Sequence, residues 1–353
     1  MTMNKHTMED LYQMQSLPLS AKIRMTQRRI DDWVNEFGEE GVYLSFSGGK
    51  DSTVLGHIIR EICGYKKIPF VFVDVPTQYP ELKQFVKTFE NIVILKPEIS
   101  FAQVCKKYGF PLISKEVSNC VSGARKYVKS DQQSGSEYRL RRLNGEITDC
   151  KGNYSSFNQE KYNFFLEAPF EISDLCCDIM KKKPAHKYEK ETGRKPFLGT
   201  MASESFLRMQ KWLQDGCNAF SGTRPHSNPM SFWTEQDVLR YIKENNLSIC
   251  SVYGEVVTDY EAMGQCENQI SFVDYGFSNS ERLLLKTTGC QRTGCVLCGF
   301  GCHLEKEPNQ RFVNLKKTHP KFHNLLYILK NNGITYAEAI DWVNEHGNMN
   351  IRY

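Results

Sequence analysis

Two groups of residues in this 353-residue chain have the types and spacing that chemistry requires. The first is Leu44-Ser45-Phe46-Ser47-Gly48-Gly49-Lys50-Asp51-Ser52-Thr53. An apolar run at 42–46 enters Ser-Gly-Gly, and a helical pattern begins at Lys50 with Val54, Leu55, Ile58, Ile59 and Ile62 on its apolar stripe. Two glycines let consecutive backbone N–H groups turn toward one point, which makes an anion-binding nest at a helix N-terminus. Ser45, Ser47, Ser52 and Thr53 add hydroxyls and Lys50 adds a charge, so the segment reads as a phosphate site. It lacks the Gly-x-x-x-x-Gly-Lys-Ser/Thr spacing of kinase and GTPase loops. The second group is Cys176-Cys177 together with Cys290-x4-Cys295-x2-Cys298-x3-Cys302. Cys-x-x-Cys lets two thiolates hold one metal or one cluster corner, and Gly289, Gly294, Gly299 and Gly301 allow the turns. Four thiolates suit tetrahedral zinc or an iron–sulfur cluster. Six cysteines compete for four positions: Cys177, Cys295, Cys298 and Cys302 lead, and Cys176 and Cys290 come next. Cys63, Cys105, Cys120, Cys150, Cys217, Cys250 and Cys266 are scattered and read as small buried hydrophobes or inert thiols.

The elements that must position these groups can be read from periodicity. Residues 1–40 read as helices, with Ile23, Ile30, Trp33 and Val34 on one side of an amphipathic stretch at 17–37. Apolar runs at 42–46, 69–75 and 91–95 alternate with helical patterns at 50–63, 80–89 and 100–108. This alternation predicts an α/β fold, a parallel twisted sheet with helices on both faces. Ligands in such sheets bind at the carboxyl ends of the strands, so the Ser47 loop and Asp74 are expected to face one pocket. At 128–167 the composition turns to Ser, Asn, Gln, Tyr and Arg around Arg139-Leu140-Arg141-Arg142. That stretch reads as an insertion, either a solvated surface or an arm that contacts substrate. A core strand is expected at 196–199, helices at 203–213 and 235–245, and two closing helices at 318–347. The expected organisation is N-terminal helices at 1–40, a nucleotide-binding α/β domain at 41–255, and a small cysteine-rich region with helices at 256–353.

Composition narrows the class. No run of ~18 apolar residues is present to span a membrane, and the polar first residues lack the apolar stretch of a signal peptide, so a cytoplasmic protein is expected. A net charge of +4 permits contact with nucleic acid without requiring it. Thirteen cysteines in a reducing compartment point to metal binding and away from a disulfide framework.

Five segments, in order, resemble the phosphoadenosine phosphosulfate (PAPS) reductase family of the N-type ATP pyrophosphatase (adenine nucleotide alpha hydrolase) superfamily. Ser47-Gly48-Gly49-Lys50-Asp51-Ser52 is similar to the superfamily's PP-loop. Val73-Asp74-Val75-Pro76-Thr77-Gln78-Tyr79-Pro80-Glu81 resembles the second-strand motif, and Cys176-Cys177 with Lys181 and Pro184 resembles the double-cysteine segment. Gly199-Thr200-Met201 through Ser205 and Arg208 resembles a Gly-x-Arg-x-x-Glu/Gln-Ser-x-x-Arg motif, with Met201 in place of its first Arg. Asn228-Pro229 through Trp233-Thr234 and Asp237-Val238 to Tyr241-Ile242 resembles the family's Pro…Trp-Thr-x-x-Asp-Val-x-x-Tyr-Ile helix.

The resemblance implies roles. Ser45, Ser47, Gly48, Gly49, Asp51, Ser52 and Asp74 are expected to bind ATP and Mg²⁺. Lys50, Asp51, Ser52, Lys181 and Arg208 are the expected catalytic groups. The double cysteine with a distant Cys-x-x-Cys is the pattern of iron–sulfur adenylylsulfate reductases, which implies a [4Fe–4S] cluster, with zinc as the alternative. Sulfonucleotide reductases carry a tail cysteine in Glu-Cys-Gly-x-His, whereas no cysteine is found beyond Cys302 here. The intact loop matches the members that cleave ATP and thiolate tRNA or DNA. The expected function is therefore activation of a DNA or tRNA substrate for sulfur insertion, with a sulfur donor such as a cysteine desulfurase. The alternatives are a PAPS or APS reductase that releases sulfite with a thioredoxin-like donor, and a non-catalytic nucleotide- or DNA-binding regulator.

Overall fold

The computed structural model describes residues 4–260 and 283–353, so Cys266 and part of the expected cysteine-rich region lie outside the described residues. The chain divides into two compact units. The first comprises Met1–Asp74, Tyr79–Leu95 and Ala185–Thr293. Its sheet contains β1 (Val42–Ser45), β2 (Phe70–Val73), β3 (Ile92–Leu95), β4 (Lys195–Leu198), β5 (Asn218–Ala219) and β6 (His226–Ser227). The strand order is β3-β2-β1-β4-β6-β5, and every pair is parallel except β5 with β6. β1 is central. Val42, Tyr43 and Leu44 are buried, as a strand covered on both faces requires. The chain runs outward from β1 to β3 and then returns to the other flank of β1 as β4. The order therefore reverses between β1 and β4, the switch point where a parallel sheet opens a crevice at its carboxyl edge. The parallel sheet expected from the sequence is observed, with an antiparallel pair, β5 and β6, added at one edge.

The helix Lys50–His57 leaves β1 through the Ser-Gly-Gly turn. It lies close on the sheet at Gly56, where a Cβ would come within 2.7 Å of the Phe70 ring. Val54, Leu55, Ile58 and Ile59 are buried as their spacing predicts, but Ile62 is 41% exposed. A single π turn, Ile58–Ile62, accounts for the difference. One extra residue in a turn rotates the later residues of the helix by about 100°, which carries Ile62 off the apolar stripe. The helix Leu19–Phe37 buries Ile30, Trp33 and Val34, and it also buries Lys22. Lys22 Nζ meets Asp237 Oδ2 at 2.7 Å.

The second unit comprises Val75–Gln78, Lys96–Pro184 and Gly294–Tyr353. Its hub is the extended stretch 110–113. Phe110 bridges Ile172 in parallel on one side, and Leu112–Ile113 pairs in parallel with Gly299–Phe300 on the other. Tyr336 stacks on Phe110 at 4.6 Å and donates its hydroxyl to the Pro111 carbonyl at 3.1 Å. The stretch 128–167 has little hydrophobic period, yet it is ordered by helices on either side. Lys115–Lys129 packs with Glu137–Leu143, the 3₁₀ segment Glu160–Glu167 comes next, and Val121, Ala124, Leu143 and Phe165 are buried. Buried Arg125 ties this region down by donating to the carbonyls of Phe165, Ala168 and Phe170. No helix among the described residues is long and apolar enough to cross a membrane.

Candidate functional site

In the first unit a cavity of about 430 Å³ opens at the β1/β4 switch point. Ser47 and Gly49 of the Ser-Gly-Gly turn line it. Gly48 has φ +71°, a left-handed conformation that suits glycine, and a Cβ there would meet Val86 Cγ2 at 2.9 Å. Gly49 precedes the helix with ordinary extended geometry, φ −78° and ψ 159°. The turn aims its backbone donors inward, and hydroxyls of the chain occupy them. Ser47 N–H donates to Ser52 Oγ at 3.3 Å, Gly49 N–H to Ser47 Oγ at 3.2 Å, and Lys50 N–H to Tyr253 Oη at 3.2 Å. All three bonds lie at the long end of the hydrogen-bond range. Ser52 Oγ and Thr53 Oγ1 donate to the Gly49 carbonyl at 2.9 and 3.0 Å, which closes the first turn.

Two ion pairs lie in this cavity. Lys50 is 3% exposed, its Nζ lies 3.0 Å from Glu235 Oε1, and it donates to the Gln291 carbonyl at 2.8 Å. Arg208 pairs with Glu204. Asp51 Oδ1 is buried without a hydrogen-bond partner. Burial raises the Asp51 carboxyl above its usual range; Lys50 opposes this, and Glu204 and Glu235 add to it. A buried, unpartnered carboxylate oxygen beside a phosphate nest is a fitting donor for a hard divalent cation.

The second unit gathers the other chemistry. Cys176, Cys177, Cys295 and Cys298 line one small cavity with Lys181, Met180, Phe101 and Pro111. The hub strand explains how such distant residues meet. Ile172 leads from one flank of 110–113 to Cys176-Cys177, and Cys295 to Cys298 precede Gly299–Phe300 on the other. Gly299 is needed there, because a Cβ would lie 2.7 Å from the Pro111 carbonyl oxygen. The adjacent Cys176 and Cys177 thiols shift each other, Cys177 downward and Cys176 upward, and Lys115 and Lys181 also favour a Cys177 thiolate. Burial works against the charge on Lys181, but Cys295 and Cys177 raise its pKa. Among the described residues no group of three or more His, Cys, Asp or Glu side chains is disposed as a ready single-ion site. The donor set of four thiols around one cavity nevertheless has the composition that a thiolate-bound cluster requires.

The expected site residues thus fall into separate places. Ser45, Ser47, Gly49, Lys50, Asp51, Ser52 and Arg208 line the first cavity, whereas Gly48 is not among its lining residues and packs against Val86 and Leu82. Asp74 closes β2 and pairs with Lys83, and it is not among the residues lining that cavity. Lys181 sits with the cysteines of the second unit. Cys302 is buried and donates its thiol to the Cys298 carbonyl at 3.5 Å, outside the cavity lining. Cys290 belongs to the first unit, where its Sγ lies 3.6 Å from Tyr79 Oη. The basic run of the insertion is engaged locally: Arg142 meets Glu116 at 2.5 Å and Arg141 meets Glu146 at 3.9 Å. Sequence reasoning missed Glu204, Glu235, Tyr253, Arg292 and Thr293, all on the wall of the first cavity. The polar Gln291-Arg292-Thr293 insert between Cys290 and Cys295 was the available signal. A larger cavity of about 870 Å³ lies in the second unit beside Tyr154 and Phe157; Arg142 of the basic run lines it, and none of the expected catalytic, nucleotide-binding or metal-binding residues does.

The model of the phosphoadenosine phosphosulfate reductase domain matches residues 41–131 and 136–299. Over 95 residues the chain is 30% identical to a probable FAD synthase of Caenorhabditis briggsae, a match covering 25% of this chain and 18% of that protein. The chain therefore spans less than a fifth of the length of this curated relative. Among solved structures it is similar to phosphoadenylyl-sulfate (PAPS) reductase from Candida auris in a phosphate complex. That match has 16% sequence identity and a TM-score of 0.34, and covers 64% of this chain and 82% of the other.

Proposed function

This chain belongs to the phosphoadenosine phosphosulfate reductase domain family, within a superfamily of nucleotide-processing enzymes, and from that premise we propose that it cleaves ATP between the α- and β-phosphates to activate an acceptor. The observation that carries the reading is the nest at the β1 terminus, whose three backbone donors rest on long, exchangeable bonds to hydroxyls. Phosphate oxygens replace those hydroxyls with charge-assisted bonds, worth about 1.5–3 kcal/mol each. An acceptor oxygen attacks the α-phosphorus, the bond to the α–β bridging oxygen breaks, and pyrophosphate leaves with the electron pair. Backbone N–H groups of Ser47, Gly49 and Lys50 are placed to hold the departing charge. Asp51 is the carboxylate for Mg²⁺, which would neutralise pyrophosphate oxygens when bound. Lys50 and Arg208 are kept in the cavity by Glu235 and Glu204.

Cys176, Cys177, Cys295 and Cys298 are the set we assign to a [4Fe–4S] cluster, which would supply electron transfer or sulfur handling when bound. Lys181 in the same cavity offsets thiolate charge. DNA or tRNA is the acceptor class in this proposal, with sulfur from a desulfurase-type donor. The test is pyrophosphate release by anaerobically purified protein given MgATP with DNA or tRNA, compared with Ser52→Ala. Acceptor-dependent release that Ser52→Ala abolishes supports the reading. Its absence with every nucleic acid, together with sulfite release from PAPS and a thioredoxin-like donor, replaces it with the reductase.

A further inference from the structure

The wall of the nucleotide cavity holds three cationic side chains, Lys50, Arg208 and Arg292, and three carboxylates, Asp51, Glu204 and Glu235. Lys50 is paired with Glu235 and Arg208 with Glu204. Arg292 has no ion pair or side-chain hydrogen bond among the described residues, so its guanidinium is the cavity cation not already committed to an acid. Both of its chain neighbours are fastened to the loop. On one side the Gln291 carbonyl accepts from Lys50 Nζ at 2.8 Å. On the other, Thr293 Oγ1 lies 2.8 Å from Tyr253 Oη, which accepts the Lys50 N–H at 3.2 Å. Arg292 is therefore flanked by two links to the first residue of the loop helix, one direct through the Gln291 carbonyl and one through the Thr293 and Tyr253 side chains. Arg292 is exposed and its side chain still loses rotatable-bond freedom on binding an anion, but its chain neighbours are held, which reduces the backbone share of that loss.

We propose that Arg292 reads the phosphates beyond the α-phosphate of the bound nucleotide and so makes the site selective for a triphosphate over a monophosphate. The inference rests on the ATP reading above and adds to it the residue that sets phosphate number. Without Arg292 the remaining cations of the wall, Lys50 and Arg208, are both committed to Glu235 and Glu204, and a polyanion would meet no uncommitted positive charge. With it, a planar fork of donors lines the same cavity as the nest, suited to two parallel bonds to one phosphate group.

The test is calorimetric titration of the full chain and of Arg292→Ala and Arg292→Lys with MgATP, AMP and inorganic pyrophosphate, with thermal melting as the control for folding. The expected result is that Arg292→Ala weakens ATP and pyrophosphate by about 10- to 100-fold, the range for a lost charge-assisted contact, and leaves AMP within about twofold. Arg292→Lys recovers only part of the loss, because an ammonium lacks the fork. Arg292→Ala that binds ATP as tightly as the parent, or that weakens AMP as much as ATP, overturns the assignment while the ATP reading stands. A parent protein that binds none of the three probes overturns the ATP reading and this inference with it.

Discussion

Replacing Gly49 by alanine separates the nest from the fold around it. At φ −78° and ψ 159° alanine fits the backbone without strain. Its Cβ would lie 3.1 Å from Ser47 Oγ, 3.2 Å from Tyr253 Oη and 3.3 Å from Thr293 Oγ1. Two of these hydroxyls hold the places that phosphate oxygens are proposed to take, so the methyl group intrudes where the anion must sit. Stability should change little: the reduced freedom of the unfolded chain gains about 0.4–1 kcal/mol, and the tight contacts offset it. Binding should change greatly. Losing two charge-assisted donors at about 1.5–3 kcal/mol each amounts to about 3 kcal/mol or more, at least about 100-fold in ATP affinity. Gly48→Ala is the counterpart. Its φ of +71° and a Cβ 2.9 Å from Val86 Cγ2 and 3.3 Å from Leu82 Cδ2 combine left-handed strain with overpacking. Together these cost about 2–4 kcal/mol of stability. Urea unfolding and calorimetric titration with MgATP read both effects. A Gly49→Ala protein that binds ATP like the parent and unfolds at the same urea concentration refutes the placement of the anion.

Burial raises the Asp51 carboxyl pKa, so its ionised form is disfavoured in the fold and stability falls as pH rises through that raised value. Asp51→Asn should therefore melt higher at neutral pH in the absence of nucleotide yet lose Mg²⁺-dependent turnover; a lower melting temperature would contradict the sign. Lys22→Met breaks an ion pair whose side chains are 2% and 6% exposed, and should cost about 3 kcal/mol in urea unfolding with ATP affinity unchanged. A loss below about 1 kcal/mol would mean that the Thr234 donors to Asp237 suffice alone. Anaerobic iron content should collapse in Cys177→Ser and Cys298→Ser and persist in Cys290→Ser, whose thiol lies in the first unit beside Tyr79. Iron lost from Cys290→Ser but kept in Cys176→Ser would reverse the ligand assignment, and one zinc in place of iron would replace the cluster.

The parts of this molecule that the sequence disclosed are those whose determinants are local. The β1 strand, the Ser-Gly-Gly turn and the helix after it lie within sixteen residues and carry their own periodicity. The exposure of Ile62 was hidden because a π turn leaves no signature in a 3.6-residue pattern. The choice among six cysteines was hidden because it depends on which strands flank 110–113, a pairing between segments far apart in the chain. Burial of Lys22 was invisible for the same reason: its partner Asp237 lies on another helix. The Arg139–Arg142 run reads from sequence as either a solvated surface or a substrate-contacting arm, and its local partners, Glu116 for Arg142 and Glu146 for Arg141, are visible only in the fold. Arg292 and Thr293 lie among cysteines in the sequence, and only the fold brings Gln291 to Lys50 and Thr293 to Tyr253.

The proposed chemistry turns on which bond of ATP is broken. Phosphorus NMR of the products formed from MgATP by anaerobically purified protein, in the presence of the acceptor nucleic acid, tests it most directly. Cleavage between the α- and β-phosphates gives AMP-level products and pyrophosphate in equal amounts, both absent with Ser52→Ala. ADP with inorganic phosphate would place the cleavage at the wrong bond, and unchanged ATP alongside sulfite released from PAPS would assign the loop to the reductase reaction.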